Sequence, residues 1–132
     1  MATINSFEDL DIWKKAQELG KLVYDLCEAN NKIAKDFSFK DQIKRAALSI
    51  SNNIAEGFEY NNNKDFVRYL RIAKGSCGEV RNCLLFSQKV NYASTEEVNK
   101  SLLMSKELGT QLGSFIKYLK QNILAQQTKP KQ

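Results

Sequence analysis

Several side chains in this 132-residue chain are of types that perform catalysis, but their spacing does not assemble a catalytic site. Histidine is absent, which excludes Ser-His-Asp and Cys-His catalysis as well as histidine-ligated metal sites. Ser76 and Cys77 lie in a Gly-Ser-Cys-Gly segment without an accompanying base or a preceding strand. Glu56 and Glu79 are candidates for an acid and base pair, yet no Glu-x-x-His metal spacing accompanies them. We therefore expect no enzymatic activity, no cofactor and no small-molecule substrate.

Six basic residues give the chain a candidate binding surface of a different kind. On a helical wheel at 100° per residue they fall within an arc of about 140°, opposite the apolar residues of the same segment, and they span about 37 Å. The six are Lys64, Arg68, Arg71, Lys74, Arg81 and Lys89. Such a face can contact phosphates without reading sequence, and Tyr60 and Tyr69 near its N-terminal end are candidates for stacking on bases. The alternative is an ordinary solvated face of a bundle.

A second polar pattern runs along residues 42–56, before the segment that carries the six basic residues. Five polar residues fall within an arc of about 80° beside its apolar residues. They are Gln42, Arg45, Ser49, Asn53 and Glu56. Serine and asparagine are poor residues for a helix interior, so the pattern favours a hydrogen-bonded network buried at a helix or subunit interface. The alternative is again a solvated face.

The elements that position these residues are four helices. Apolar residues recur with helical period in four segments, and no segment alternates as a half-buried strand does. The predicted helices cover 9–30, 38–58 and 64–91, and a fourth begins at the Ser94–Glu97 capping box and ends at 125. Short connections require antiparallel neighbours, so we expect an all-α, up-down-up-down four-helix bundle. Residues 1–125 are predicted to form one domain, and 126–132 a flexible C-terminal tail.

The connections between helices are predicted from their asparagine and serine residues. Asn30 is expected to end the first helix in a left-handed conformation together with the asparagine that follows it. Ser38 is expected to cap the second helix, and Asn63 to cap the third. The small residues around Ser76 are expected to permit a close approach between helices or a slight bend of the helix.

Apolar residues outside the main core pattern suggest self-association. Leu48 and Ala55 point away from both the core and the polar pattern of the second predicted helix, and Ile12, Leu19 and Leu26 form an additional apolar row on the first. Scattered apolar surface residues are the alternative.

Composition and charge agree with a globular binding protein. Apolar residues make up 42% and charged residues 27%, and the net charge is +5. Residues 1–60 carry eight basic and ten acidic residues, whereas residues 61–132 carry twelve and five. The basic half is therefore the C-terminal one, which suggests a surface that faces a polyanion, although a net charge of this size also occurs in proteins that bind no nucleic acid.

The second predicted helix resembles the "Q-x-x-RA-x-x-S-x-x-x-NIAEG" helix of the 23S rRNA intervening-sequence protein family, also called four helix bundle protein. In this chain the pattern runs from Gln42 through Arg45, Ser49 and Asn53 to Gly57. The resemblance extends over about residues 4–121. It includes Phe7-Glu8-Asp9-Leu10, Trp13-Lys14-Lys15-Ala16, Phe66, Arg68-Tyr69-Leu70, Ile72-Ala73-Lys74-Gly75-Ser76 and Glu79.

The resemblance implies a four-helix bundle that assembles into a ring-like homopentamer, encoded by some bacteria within insertions of 23S rRNA genes and elsewhere. The chain is also similar to the accessory protein of diversity-generating retroelements, a basic pentamer that partners a reverse transcriptase and binds nucleic acid. Neither relation supplies a catalytic residue. The resemblance adds Gly75, Ser76 and Glu79 to the residues expected at an interface or in a buried polar network.

These observations lead to one functional hypothesis and one rival. The first is a cytoplasmic, non-enzymatic homo-oligomer that serves as a scaffold for RNA or for a nucleic-acid-bound protein such as a reverse transcriptase. The six basic residues of the third predicted helix would contact the phosphates. The rival is a structural protein–protein interaction module that binds no nucleic acid.

Overall fold

The computed structural model describes residues 4–127, and it confirms the predicted all-α bundle. A 3-10 turn at Phe7–Asp9 precedes the first α-helix. The α-helices are α1 (Asp11–Ala29), α2 (Asn31–Lys35), α3 (Phe37–Glu59), α4 (Asn63–Lys89) and α5 (Thr95–Gln127). Each of the four long helices packs against two others, since α3 contacts α1 and α4 while α5 contacts α4 and α1. The short α2 is an elbow between α1 and α3.

The core fills the space between the four long helices. Its fully buried side chains are mostly aliphatic, such as Leu19, Ile50, Leu70 and Leu112. The row of Ile12, Leu19 and Leu26 on α1 is buried as well, so the prediction that this row mediates self-association is wrong. The physical reason is that α1 contacts α2, α3 and α5 together, which covers a wide arc of its surface within one chain.

The three cysteines are free and buried. Burial raises the pKa of all three thiols, and it raises that of Cys77 to about 11. The Cys77 thiol donates a hydrogen bond to the Ser105 carbonyl oxygen at 3.1 Å, which joins α4 to α5. These thiols are therefore packing residues rather than nucleophiles.

The connection between α1 and α3 differs from the prediction. Asn30 has an extended backbone, with φ of −95°, and its side chain accepts a hydrogen bond from the Ile33 N–H at 3.0 Å. Asn30 therefore ends α1 as predicted, but with an extended rather than a left-handed backbone, and its side chain caps α2. The cap of α3 is Asp36, which accepts from the Phe39 N–H at 3.0 Å, and Ser38 lies inside the helix.

Long-range hydrogen bonds explain why the chain turns at Asn30. Its amide donates to the Tyr92 carbonyl oxygen at 2.7 Å and to the Glu97 carboxylate at 2.9 Å. The Tyr92 hydroxyl donates in turn to the Asp36 carboxylate at 2.9 Å. Hydrogen bonds from the Ser94 backbone and from Asn30 hold the pKa of Glu97 below its ordinary value. Hydrogen bonds thus hold α2 and its flanking residues against the α4–α5 connection at one end of the bundle.

The remaining helix ends are set by local hydrogen bonds. The Ser94–Glu97 capping box is confirmed, because each residue accepts from the backbone N–H of the other, at 3.0 and 3.2 Å. Asn62 rather than Asn63 caps α4, and Asn61 is left-handed with φ of 57°. At the C-terminus α5 continues to Gln127, so the predicted tail is helical at 126 and 127, and 128–132 lie outside the described residues.

Candidate nucleic-acid interface

The α4 helix presents the six predicted basic residues to solvent. Its buried side chains, among them Phe66, Leu70 and Leu84, anchor the opposite side of the helix in the core. The exposed side carries Lys64, Arg68, Arg71, Lys74, Arg81 and Lys89. Within residues 4–127, only Arg68 of these six has a carboxylate within 4.0 Å, namely that of Asp65 at 3.5 Å. The other five cations are therefore available to anions from outside the chain.

The two tyrosines beside this face contact each other. The rings of Tyr60 and Tyr69 stack at a centroid distance of 5.2 Å with an angle of 12° between their planes. Their hydroxyls are 3.3 Å apart, and this hydrogen bond is the main reason that the pKa of Tyr69 is raised to about 12. The Arg68 guanidinium lies 5.1 Å from the centre of the Tyr69 ring. The structure thus joins the two candidate stacking residues into one pair, in which Tyr60 is the more exposed member.

A groove between α4 and α5 lies beside the basic face and has a volume of about 520 Å³. Lys74 and Arg81 line it from α4, while Lys106 and Lys117 line it from α5. The two lysines of α5 are not among the residues predicted from the sequence. Their spacing of eleven residues is three helical turns, so a wheel drawn for α5 would have placed them on one face.

The interior of the groove is made of small residues. It is lined by Ser105, Gly78, Gly109, Gly113, Thr110 and Ser114. A Cβ added at Gly113 would lie 3.3 Å from Cε of Lys74, so the glycine makes room for the lysine stem. Among the residues that the structure describes, no acidic side chain lines the groove. The local charge is therefore wholly positive.

The predicted polar network exists in part, as a seam between α3 and α4. Gln42 donates a hydrogen bond to the Glu79 carboxylate, and the hydroxyls of Ser49 and Ser76 are 2.8 Å apart. Asn53 donates to the carbonyl oxygen and the hydroxyl of Ser49, at 2.8 and 3.0 Å. These five residues form a hydrogen-bonded row along the surface of the seam, in which Ser49, Asn53, Ser76 and Glu79 are half-buried and Gln42 is exposed.

Three predicted members of this network lie outside it within the chain. Arg45 is 79% exposed, and its one ion pair within residues 4–127 is with Asp41, one turn earlier on α3, at 2.9 Å. Glu56 is also exposed. A Cβ added at Gly75 would meet nothing within 4 Å, so no other helix of the chain approaches closely at Gly75, although the neighbouring Ser76 hydroxyl lies 2.8 Å from that of Ser49 on α3. The predicted arc was too wide. Arg45 and Glu56 lie at one edge of it, and on α3 this edge faces solvent instead of α4.

The close approach between helices occurs at Gly57 instead. A Cβ at Gly57 would lie 2.7 Å from Cβ of Tyr69 and 3.1 Å from Cδ1 of Phe66. Real Cβ atoms do not approach another atom to 2.7 Å. Glycine is therefore required here for the end of α3 to pack against the start of α4.

The part of the chain that the structure describes contains no cluster of three or more metal-ligating side chains. Within the same residues no helix has the length and apolar character needed to cross a bilayer.

The fold and this surface define a class of small four-helix bundle proteins. Within that class, the chain matches the 23S rRNA-intervening sequence protein family over residues 8–114, and it belongs to that family. Among the solved structures that match is a protein of unknown function from the S23 ribosomal protein family of Bacteroides thetaiotaomicron. It is 26% identical, with a TM-score of 0.75 over 80% of this chain and 98% of that one. No curated protein matches the chain.

Proposed function

We propose that this protein is a non-enzymatic, cytoplasmic scaffold that binds nucleic acid, or a ribonucleoprotein partner, through the basic side of α4. The observation that carries the proposal is the row of six exposed cations on one face, five of which have no carboxylate within 4.0 Å among residues 4–127. Paired cations would have to exchange one anion for another, whereas these five gain a partner when a phosphate binds.

The length of the row suits a polyanion. Lys64 and Lys89 are separated by about 37 Å at about 1.5 Å per helical residue. This distance is close to one turn of a double helix, about 34–36 Å. The binding energy would come mainly from counterion release, so affinity should depend on salt and little on sequence.

We also infer that the protein is a homo-oligomer, and the family resemblance makes a pentamer the expected form. In support, Leu48 on α3 and Ile72 and Phe86 on α4 are about half exposed, at 49%, 48% and 52%. Large exposed apolar side chains on α3 and α4 are typical of an interaction surface. An oligomer would repeat the basic face and so raise the avidity for a long nucleic acid.

Fluorescence anisotropy tests this proposal. A structured RNA and a duplex DNA are each titrated with the purified protein at about 50 and 200 mM salt, and we expect affinity to fall steeply between the two. Light scattering on the same sample is expected to give a mass well above the 15.1 kDa of one chain. Absence of binding at the lower salt would contradict the nucleic-acid function, and a monomeric mass would contradict the oligomer.

The rival function is a protein–protein interaction module. The specific observation in its favour is the exposure of Ile72 and Phe86 beside the α3–α4 seam. Under this function the Ile72→Glu variant would lose a polypeptide partner, while charge changes on α4 would have no effect. The anisotropy experiment separates the two, since a pure interaction module binds neither nucleic acid at the lower salt.

A further inference from the structure

We propose that the groove between α4 and α5 binds the phosphate backbone of single-stranded nucleic acid. This inference rests on the proposed function, and it deepens that function by naming the site and the strand form. It also adds Lys106 and Lys117 of α5, which lie outside the basic face of α4, to the binding residues.

The first argument is charge. Four cations line the groove, two from each helix: Lys74 and Arg81, and Lys106 and Lys117. All four are exposed, and none has a carboxylate within 4.0 Å in the described part of the chain. The acidic neighbour Glu107 turns away, because it pairs with Lys15 of α1 at 3.3 Å. An anion in the groove would meet cations on both sides and no carboxylate on the lining.

The second argument is size. Lys74 and Arg81 are about 10 Å apart along α4, and Lys106 and Lys117 about 16 Å apart along α5. Packed helices have axes about 8–10 Å apart, so a groove along their contact is narrow, and its volume of about 520 Å³ limits it to a single sugar–phosphate backbone. A double helix is wider than this spacing and would touch only the rim. The groove therefore favours a single strand, which it can contact at several successive phosphates.

The third argument is the chemistry of the lining. Gly78, Gly109 and Gly113 have no side chains, which lets a backbone lie close to the helices. The hydroxyls of Thr110 and Ser114 offer hydrogen bonds to phosphate oxygens. No aromatic side chain lines the groove, so nothing there can stack on a base. The bases would face outward, and binding would not depend on sequence.

The test compares two pairs of neutralised lysines on the same helix. Lys106→Gln with Lys117→Gln removes two cations of the groove, whereas Lys100→Gln with Lys120→Gln removes two exposed cations of α5 that do not line it. Each contact to a single strand contributes about 0.7 to the slope of log affinity against log salt. The loss of two contacts lowers the slope by about 1.4. Raising the salt from about 50 to 200 mM should therefore weaken single-strand binding about 7-fold less for the Lys106→Gln, Lys117→Gln variant, the groove pair, than for the wild type. The control pair should behave as the wild type.

A second variant blocks the groove without changing charge. A Cβ at Gly78 meets nothing within 4 Å, so Gly78→Met is expected to fold and to fill the groove. Gly20→Met on α1 is the matched control, because its added Cβ also meets nothing within 4 Å. We expect Gly78→Met to weaken single-strand binding at least 10-fold and to leave duplex binding within about 2-fold, with no effect of Gly20→Met.

The outcomes distinguish this inference from the proposed function. If substitutions at Arg68 and Arg71 weaken binding but those at Lys106, Lys117 and Gly78 do not, nucleic acid does not bind in the groove. The proposed function of the basic face of α4 would then remain. Equal changes in the salt dependence of single-strand binding for the groove pair and the control pair would also contradict binding in the groove. Absence of binding by the wild-type protein to any nucleic acid would overturn both.

Discussion

The double charge reversal Arg68→Glu with Arg71→Glu is expected to weaken nucleic-acid binding at least about 100-fold at low salt, since each of the two lost hydrogen bonds to a charged group contributes about 1.5–3 kcal/mol and about 1.4 kcal/mol is tenfold in affinity. Both side chains are exposed on α4, so the bundle does not depend on their packing. The slope of log affinity against log salt should become shallower by about 1.4 for a single strand and by about 1.8 for a duplex, since two phosphate contacts are lost. Anisotropy titrations over a series of salt concentrations measure both quantities.

The control for this variant is an equal change of charge elsewhere. Lys14→Glu with Lys35→Glu alters the net charge by the same amount, and both lysines are exposed and have no carboxylate within 4.0 Å among the described residues. This pair should weaken binding only slightly, through the overall field. The mass in solution should be unchanged for both variants. Equal weakening by the two pairs would mean that net charge, rather than the face of α4, determines binding.

The Gly57→Ala substitution is expected to lower the free energy of unfolding by about 1–3 kcal/mol, the usual effect of overpacking a well-packed contact. The added Cβ would lie 2.7 Å from Cβ of Tyr69, an atom held by the α4 backbone, so α3 and α4 would have to separate locally. Alanine is otherwise the better helix residue by about 0.5–1 kcal/mol, so the expected sign is opposite to the intrinsic preference. Chemical denaturation monitored by circular dichroism measures the difference.

Gly75→Ala is the matched comparison for this prediction. Gly75 also lies inside a long helix, but an added Cβ there meets nothing within 4 Å. We expect this variant to be more stable than the wild type by about 0.5–1 kcal/mol, through helix propensity alone. If Gly57→Ala and Gly75→Ala shift stability in the same direction, the close approach at Gly57 does not limit the packing of α3 on α4.

Much of the fold is predictable because it depends on local patterns. The period of the apolar residues identifies the four long helices, and the Ser94–Glu97 capping box places the start of α5 from two residues three positions apart. The turn at Asn30 is not predictable in this way. Its partners Tyr92 and Glu97 are more than sixty residues away, so only the folded bundle shows why the chain bends there.

The candidate site shows the same limit. A wheel for one helix places the six cations of α4 on one side, as the structure has them. It carries no information on which neighbouring helix lies beside that side, so the groove with Lys106 and Lys117 follows only from the packing of α5 on α4. Likewise, the arc that contains Ser49 and Arg45 on α3 does not reveal where α4 ends and solvent begins.

The most direct test of the account is a lysine footprint. The protein is acetylated with a limiting reagent in the presence and absence of a single-stranded RNA, and mass spectrometry measures the modification of each lysine. The account predicts protection of Lys64, Lys74, Lys89, Lys106 and Lys117, with Lys14, Lys35 and Lys100 modified to the same extent in both samples. Protection spread evenly over all lysines, or confined to those of α1, would contradict the claim that the α4 side of the bundle is the surface that binds nucleic acid.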